Sequence, residues 1–378
     1  MYLTVYKQNN PNTRTFDYNN IMYNQTEYIP ITYYKTTWNI TNPTTRTDLN
    51  EAQRRHITQA ENTIILEVNN LRRTYGEATD LSQYYRTFKI PKHSGGLRTI
   101  NAPKYPLMDD LSRIKDIFEK VVKCLSHDCA YAYTKNRSIK HELERHQKNN
   151  SNWYLKIDLK DFFPSCSPEF IYNQLIQLYP FYYFTGLAKN SLKYIINLCC
   201  LNNELPQGTP MSPLLTNLLM VPYDYQINQV LKRGTGEHYI YTRYADDILI
   251  SSKSKFNYQK VIKILKRLLQ PFQIKEEKTR FGSKNGRNWN LGLMLNKDNN
   301  ITLGYRKKKL LNAMLNNFLN DYTDGNRWSK EDTYSLQGQI GYLKHIEPEY
   351  AEYIIEKYSR KYDINYSLAI SNILNNRE

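Results

Sequence analysis

Three aspartates lie at or beside the ends of strand-like segments, where carboxylates can bind metal ions. Asp158 ends the run Trp153–Asp158, in which apolar and polar residues alternate as in a half-buried strand. Asp246 and Asp247 lie in a predicted hairpin turn within 239–252. Crowded carboxylates repel unless a divalent cation neutralises them, and open oxygen coordination suits Mg²⁺. Two such ions activate a hydroxyl and stabilise a leaving pyrophosphate, although an Asp-Asp pair alone is also typical of a solvated turn.

A loop motif lies between the two carboxylate segments and favours the metal site over the solvated turn. Residues 206–213 read Pro-Gln-Gly-Thr-Pro-Met-Ser-Pro and precede a leucine-rich helix, for which Ser212 is the predicted N-cap. In type, order and separation, the motifs at 158–163, 206–217 and 244–247 resemble those of the reverse transcriptases. The segments at 90–103, 278–280, 290–293 and 335–342 extend the resemblance to the retron and group II intron enzymes.

The resemblance implies a catalytic site and a nucleotide site. Asp158, Asp246 and Asp247 would be catalytic and would bind two Mg²⁺ ions, for which Mn²⁺ could substitute. Asp247 would be the looser of these ligands, and Leu159, next to Asp158, would be a further metal ligand. Phe163, five residues after Asp158, would exclude a ribose 2′-hydroxyl and so favour deoxynucleotides. The other residues implied in nucleotide binding are Lys92, Arg98, Gln207, Gly208 and Lys278. Lys278 would donate a proton to the leaving pyrophosphate; the alternative is that Lys278 is an ordinary surface lysine.

Nucleic acid is the expected partner. With 52 Lys plus Arg and 36 Asp plus Glu, the net charge is +16, which favours a polyanion. The resemblance places a primer-grip hairpin at Leu291 and Gly292, and the basic run Arg306, Lys307, Lys308 and Lys309 predicts contacts to phosphates, unless it is simply a solvated face. The implied partners are an RNA template, which a dedicated non-coding RNA could supply, a DNA product and deoxynucleoside triphosphates; a protein partner or a homo-oligomer is left open.

Several other classes are disfavoured. Hydrophobic residues make up 40% of the chain and aromatics 13%, which favours a packed core over disorder. The first residues resemble no secretory leader, and the most apolar run, 194–201, is too short to span a bilayer. The 5 cysteines form no C-x-x-C pair and predict reduced thiols rather than a zinc site. We therefore expect a cytoplasmic protein with no membrane partner.

The predicted fold is α+β, a right-hand polymerase fold with fingers, an antiparallel palm sheet backed by helices, and a helical thumb. We expect an N-terminal extension and helix at 1–75, fingers and palm at 76–304, and thumb at 305–378. Residues 1–46 predict extended structure, and Asp48 a helix N-cap. Residues 88–100 predict a Gly-Gly hairpin, and helices are expected at 107–125, 168–178, 188–200 and 258–269, with a capping box at Ser329.

Two departures from the retron pattern bear on biology. Where retron enzymes have Asn-Ala-x-x-His, this chain has Glu142 and Leu143 before His146, and Trp-Asn-Leu-Gly at 289–292 replaces Val-Thr-Gly. The residues after Tyr350 are too few for an endonuclease or RNase H domain. The resemblance is thus to free-standing reverse transcriptases of phage defence and abortive infection. Untemplated or protein-primed DNA synthesis, and a catalytically silent RNA-binding scaffold, are the alternatives.

Overall fold

The structure, a computed structural model, divides the chain into two compact units. It describes residues 2–5, 31–34, 49–78, 80–91, 95–122, 126–233, 239–284 and 288–375, with the backbone alone for the first two ranges. The first unit comprises Met1–Tyr133, Leu159–Val230 and Leu265–Gln273. The second comprises Thr134–Asp158, Leu231–Ile264 and Ile274–Glu378. Each unit therefore contains segments that are distant in sequence.

Strands and helices alternate irregularly along the described ranges. The strands are β1 Tyr2–Val5, β2 Ile31–Tyr34, β3 Tyr85–Pro91, β4 Leu97–Pro103, β5 Trp153–Asp158, β6 Ile240–Tyr244, β7 Asp247–Ser252, β8 Arg280–Ser283, β9 Met294–Leu295 and β10 Ile301–Thr302. The helices are α1 Glu51–Tyr75, α2 Leu107–Val121, α3 Ile139–Lys148, α4 Pro168–Leu175, α5 Gly186–Cys199, α6 Met211–Arg233, α7 Tyr258–Leu268, α8 Tyr305–Thr323, α9 Lys330–Ile346, α10 Pro348–Tyr362 and α11 Tyr366–Asn375. This content confirms the predicted α+β class.

Helix α1 of the first unit begins two residues later than predicted. Its N-cap is Asn50, whose side chain accepts from the Gln53 backbone N–H at 2.9 Å, and the Gln53 side chain accepts from Asn50 N–H at 2.9 Å. This reciprocal capping box satisfies two N–H groups that have no partner inside the helix. The predicted cap, Asp48, lies outside the described residues. Helix α1 packs against α2 and α5.

The predicted Gly-Gly hairpin of the first unit is confirmed as β3 and β4, which pair in antiparallel register. Helix α6 begins one residue before Ser212, so the prediction of Ser212 as the N-cap was wrong. The Thr209 hydroxyl instead accepts from Ser212 N–H at 3.2 Å, while Ser212 Oγ donates to the Pro206 carbonyl at 2.7 Å. The Thr side chain thus does the capping, and the Ser side chain fixes the loop before the helix.

A four-stranded antiparallel sheet with the order β6-β7-β5-β8 forms the centre of the second unit. β6 and β7 form the predicted hairpin, whose turn holds Ala245 and Asp246. β5 lies beside β7 in a register that pairs Trp153 with Ser252 at one end and Asp158 with Asp247 at the other. The last five residues of β7 are all buried, so this strand is covered on both faces.

Helices α8 to α11 pack together in the same unit and share its hydrophobic core. Leu249 of β7, Phe318 of α8 and Leu336 of α9 belong to that core. Trp289, fully buried, stacks on Tyr154 of β5 with ring centroids 4.9 Å apart. Only half of the capping box predicted for α9 is present: Ser329 Oγ accepts from Asp332 N–H at 3.0 Å, and the Asp332 carboxylate accepts from the Ser329 hydroxyl at 2.6 Å.

Two further sequence predictions meet the structure here. Within the described ranges, no helix is both long enough and apolar enough to cross a membrane. Cys166, Cys199 and Cys200 are free and buried, as predicted for reduced thiols. Cys129 is also buried, and Cys124 lies outside the described residues. The predicted boundaries at residues 75 and 304 stay a prediction.

Candidate active site

Antiparallel pairing and a tight turn bring the three predicted aspartates into one part of the second unit. Asp158 is the last residue of β5 and is paired with Asp247, the first residue of β7. Directly opposed residues of an antiparallel pair have Cα atoms about 4.5–5.5 Å apart. Asp246 lies in the turn, where Ala245 has φ of 57°. Asp247, which was also predicted in the turn, is instead the first residue of β7. This positive φ turns the chain sharply, so that adjacent carboxylates no longer alternate across the sheet.

Burial and mutual repulsion disfavour ionisation of two of these carboxyls. Burial, then the charges of Asp247 and Asp158, raise the pKa of Asp246 above its ordinary value. Burial also raises the pKa of Asp247, and Lys156 partly opposes this shift. At both carboxyls, burial outweighs the neighbouring positive charge and favours the protonated form.

Three lysines contact the carboxylates. Lys275 Nζ lies 2.8 Å from Asp158 Oδ1, and Lys278 Nζ lies 3.3 Å from Asp158 Oδ2. Lys156 Nζ lies 3.1 Å from Asp247 Oδ2. Lys278 was singled out from the sequence, but Lys156 and Lys275 were missed. Lys156 had a readable signal, since it precedes Asp158 by two residues and therefore shares its face of β5.

The donor set fits a divalent cation by its chemistry, although the side chains are not arranged as a closed metal site. No group of three His, Cys, Asp or Glu side chains in the described ranges is gathered around a common point. Asp158 and Asp247 instead point oxygens at ammonium groups. Hard carboxylate oxygens are nevertheless the ligands that Mg²⁺ and Mn²⁺ prefer. Asp158, Asp246 and Asp247 are thus the residues able to hold such an ion.

A buried polar network lies behind the carboxylates in the second unit. Glu142 of α3 is fully buried and accepts from Thr242 Oγ1 at 2.8 Å and from Asn290 Nδ2 at 2.9 Å. His146, one turn along α3, lies 2.8 Å from Thr242 Oγ1 and 2.6 Å from Ser251 Oγ. Burial raises the pKa of Glu142 to about 7 and lowers the pKa of His146 to about 3. The network was not predicted.

A second buried group supports the turn itself. Arg243, the penultimate residue of β6, is fully buried, and its Nη1 donates to the carbonyl of Ala245 at 3.0 Å. Ala245 is the residue with positive φ, so this hydrogen bond holds the strained position of the Tyr-Ala-Asp-Asp turn. Arg243 therefore helps to place the turn that carries Asp246.

Most of the predicted nucleotide-binding residues belong to the first unit. The Gln207 carbonyl accepts from Asn101 N–H of β4 at 2.8 Å. Gly208 has φ of 113°, and an added Cβ would lie 2.9 Å from Ile100 Cγ2. The loop motif thus packs edge-on against β4, as close as a glycine permits.

The remaining predicted residues of the first unit are less constrained. Arg98 on β4 is exposed, and Lys92 lies outside the described residues. Phe163 is half-buried with its ring 5.9 Å from that of Phe162, in an edge-on arrangement. The Leu159 side chain is fully buried. A metal-binding role for Leu159 would therefore belong to its backbone carbonyl.

The predicted nucleic-acid residues lie in the second unit and differ in their surroundings. Leu291 is 51% exposed, and with Gly292 it forms a turn in which both residues have positive φ, 44° and 90°. Arg306 and Lys309 are exposed. Lys307 donates to Gln339 at 2.6 Å, and Lys308 pairs with Glu347 at 2.9 Å. The basic run is therefore not one uniform solvated face.

The sheet of the second unit places three carboxylates at the junction of neighbouring strands, an arrangement suited to phosphoryl transfer assisted by metal ions. Sequence comparison narrows this class. A family model described as reverse transcriptase (RNA-dependent DNA polymerase) matches residues 90–330. The chain belongs to this family and is a retron-like bacterial reverse transcriptase, an RNA-directed DNA polymerase. Members of the family use divalent metal ions, RNA templates and deoxynucleoside triphosphates.

Curated relatives show the extent of the similarity. Retron Ec73 reverse transcriptase of Escherichia coli is 31% identical over 72% of this chain and 86% of its own length. Retron Ec83 reverse transcriptase of the same species is 28% identical over 73% of this chain and 87% of its own length. Retron Mx65 reverse transcriptase of Myxococcus xanthus is 30% identical over 71% of this chain and 63% of its own length.

Among solved structures, telomerase from Candida albicans in complex with a TWJ fragment of telomeric RNA aligns with a TM-score of 0.43. It is 13% identical and the alignment covers 76% of this chain and 63% of the telomerase chain. Apo telomerase from Candida tropicalis aligns with a TM-score of 0.41 at 13% identity, over 76% of this chain and 63% of that chain.

Proposed function

We propose that this chain synthesises DNA on an RNA template by a two-metal mechanism, with Mg²⁺ held by Asp158, Asp246 and Asp247, as part of antiphage defence. The observation that carries the mechanism is the register of β5 and β7, which pairs Asp158 with Asp247 and puts Asp246 in the adjoining turn. Three carboxylates so close together, two of them with raised pKa values, gain most from a divalent counter-ion.

The chain's own residues would do the following at this site. The three aspartates hold the ions that, when bound, lower the pKa of the primer 3′-hydroxyl and neutralise the leaving pyrophosphate. Lys278, whose side chain is 48% exposed beside Asp158, is the proposed proton donor to that pyrophosphate. Lys275 is the more buried neighbour, with 22% of its side chain exposed, and it orients the other oxygen of Asp158.

We assign nucleotide recognition to first-unit residues by their motif positions. The Gln207–Gly208 backbone, fixed against β4, is a rigid edge suited to the incoming nucleotide. Arg98 and Lys92 are assigned to the triphosphate, and Phe163 to exclusion of the 2′-hydroxyl. In the same proposal, residues 76–304 are fingers and palm and 305–378 are thumb, which carries the exposed Arg306 and Lys309.

The role in defence rests on sequence departures rather than on geometry. Glu142 and the segment 289–292 differ from the retron pattern, which favours a free-standing defence enzyme of the bacterial cytoplasm. The relatives named above are retron enzymes, so this finer assignment remains our proposal. A dedicated non-coding RNA as template, and a partner protein or second copy of the chain, belong to the same proposal.

The test is primer extension by the purified chain on a defined RNA template. We expect deoxynucleotide addition that requires template and Mg²⁺ and stops with EDTA. Addition without regard to template sequence would replace templated synthesis by untemplated synthesis. A product whose mobility shifts only after protease treatment would indicate protein priming, and a 2′,5′-branched product released by RNase would return the chain to retron biology. Host survival under phage challenge should depend on Asp246; survival unchanged by Asp246→Asn would refute the defence role.

A further inference from the structure

Lys156 has two acceptors, and only one of them belongs to the catalytic carboxylates. Its Nζ lies 3.1 Å from Asp247 Oδ2 and donates to Asn290 Oδ1 at 2.8 Å. The Lys156 side chain is 19% exposed, so its ammonium has little water to replace a lost partner. Both acceptors therefore stabilise the position of the Lys156 ammonium.

Glu142 fixes which end of the Asn290 amide faces Lys156. An amide has one donor end and one acceptor end, and Asn290 is fully buried. Its Nδ2 donates to Glu142 Oε2 at 2.9 Å, which leaves Oδ1 turned towards Lys156. Glu142 is itself held by Thr242 Oγ1 at 2.8 Å. The oxygen offered to Lys156 is thus held in place by a buried network.

We propose that Lys156 is a built-in counter-ion of Asp247, and that Asn290, oriented by Glu142, is the second acceptor onto which Lys156 withdraws when a divalent cation takes the Asp247 oxygen. Asn290 and Glu142 are positioning residues in this proposal, because neither contacts the carboxylates. The proposal rests on the metal assignment made above. It also links the two segments that depart from the retron pattern, since Glu142 and Asn290 share a hydrogen bond.

The physical basis is competition for one oxygen. An ammonium and a divalent cation at Asp247 Oδ2 repel each other. The affinity for the ion therefore depends on how readily the Lys156 ammonium moves away from this oxygen. A withdrawn ammonium without an acceptor would be a buried, unpaired charge. Asn290 Oδ1 supplies the acceptor, and the neighbouring Glu142 carboxyl supplies negative charge when ionised. Affinity for the ion should therefore depend on residues that cannot ligate it.

A thermodynamic cycle of Asn290 and Lys156 tests this without any catalytic step. Mn²⁺ binding is measured from the electron paramagnetic resonance signal of the free ion, with no nucleotide or nucleic acid present. We expect Asn290→Leu to weaken Mn²⁺ binding about tenfold, the scale of one charge-assisted hydrogen bond. We expect Lys156→Met to tighten it by a similar factor. In the Lys156→Met background, Asn290→Leu should then have no effect.

Asn300→Leu makes the same change at an exposed residue of the second unit and should leave Mn²⁺ binding unchanged. An equal effect of Asn290→Leu with and without Lys156 would mean general distortion, and would overturn the proposal. If Asn290→Leu does not fold, Lys156→Met decides alone, because failure to tighten Mn²⁺ binding contradicts a competing ammonium.

Asp246→Asn separates this inference from the metal assignment. If that variant binds Mn²⁺ as the native chain does, the metal assignment itself fails. If it weakens Mn²⁺ binding while the Asn290 and Lys156 variants change nothing, the carboxylate site stands and only the counter-ion proposal is lost.

Discussion

Asp158 and Asp247 face each other across neighbouring antiparallel strands, so the sheet is built with two like charges in direct opposition. Such pairs destabilise a sheet, and the nearby Asp246 adds to the repulsion. Repulsion between these carboxylates therefore destabilises the folded protein when no metal ion is bound. Lys156 and Lys275 offset part of that loss by contacting Asp247 and Asp158, respectively.

Removing one of these charges should stabilise the metal-free chain. We expect Asp246→Asn to raise the free energy of unfolding by roughly 1 kcal/mol at neutral pH, because burial and like charges oppose ionisation there. Urea unfolding in EDTA measures the effect. Adding Mg²⁺ should reverse the order of stability, since the native chain binds the ion better. A variant less stable than the native chain in EDTA would show that repulsion is not the dominant effect.

Glu142 should make stability depend on pH. Its pKa is raised from 4.5 to about 7 in the folded protein, so the native state binds more protons than the unfolded state between these values. The Glu142 contribution to stability therefore falls as pH rises from about 4.5 to about 7. As the pH rises across this window, the free energy of unfolding of Glu142→Gln should therefore increase relative to that of the native chain, by up to about 3 kcal/mol.

Urea unfolding at several pH values measures that gain. Glu144→Gln, the same substitution at a half-buried residue of the same helix, is the control and should show no trend. Parallel curves for Glu142→Gln and the native chain would contradict the raised pKa of Glu142.

Gly208 should be required for the loop motif. Its φ of 113° and the 2.9 Å approach of a built Cβ to Ile100 leave no room for alanine. We expect Gly208→Ala to raise the KM for deoxynucleotides at least about tenfold, the scale of a strained backbone position. Gly186→Ala, where nothing lies within 4 Å of the added Cβ, is the matched control. An unchanged KM in Gly208→Ala would mean that the loop does not bind the nucleotide.

Phe163 should determine the choice of sugar. Phe163→Ala should admit ribonucleotides, because the ring that excludes the 2′-hydroxyl is gone. The measurement is kcat/KM for a deoxynucleotide against its ribonucleotide. Phe163→Tyr keeps the ring and should keep the preference. Full discrimination in the alanine variant would place the sugar gate at another residue.

The basic run should divide into two functional parts. Arg306 and Lys309 are exposed, so neutralising both should weaken binding to all RNA sequences alike and reduce the salt slope by about one unit per lost phosphate contact. Lys308 pairs with Glu347, so Lys308→Gln should lower the Tm more than it changes the slope. An unchanged slope in the double variant would mean a solvated face.

Patterns among neighbouring residues predicted the strands and the turn that carry the three aspartates. They did not predict the contacts between residues that are distant in sequence. Alternation predicted the bounds of β5, and the turn predicted the place of Asp246, because both depend on neighbouring residues. Helix starts at Asp48 and Ser212 were misplaced, since Asn50 and Thr209 offered equally good caps nearby. The contact of Glu142 with Asn290 joins residues 148 positions apart, and no local pattern indicates it.

The central claim is that Asp158, Asp246 and Asp247 form one metal-dependent polymerising centre, and Asp246→Asn tests it most directly. The measurement is the single-turnover rate of deoxynucleotide addition to a primed RNA template in Mg²⁺ and in Mn²⁺, with folding checked by urea unfolding. We predict a folded variant whose rate falls to below a few per cent of the native rate with either ion. A folded variant that retains more activity than that would contradict the account.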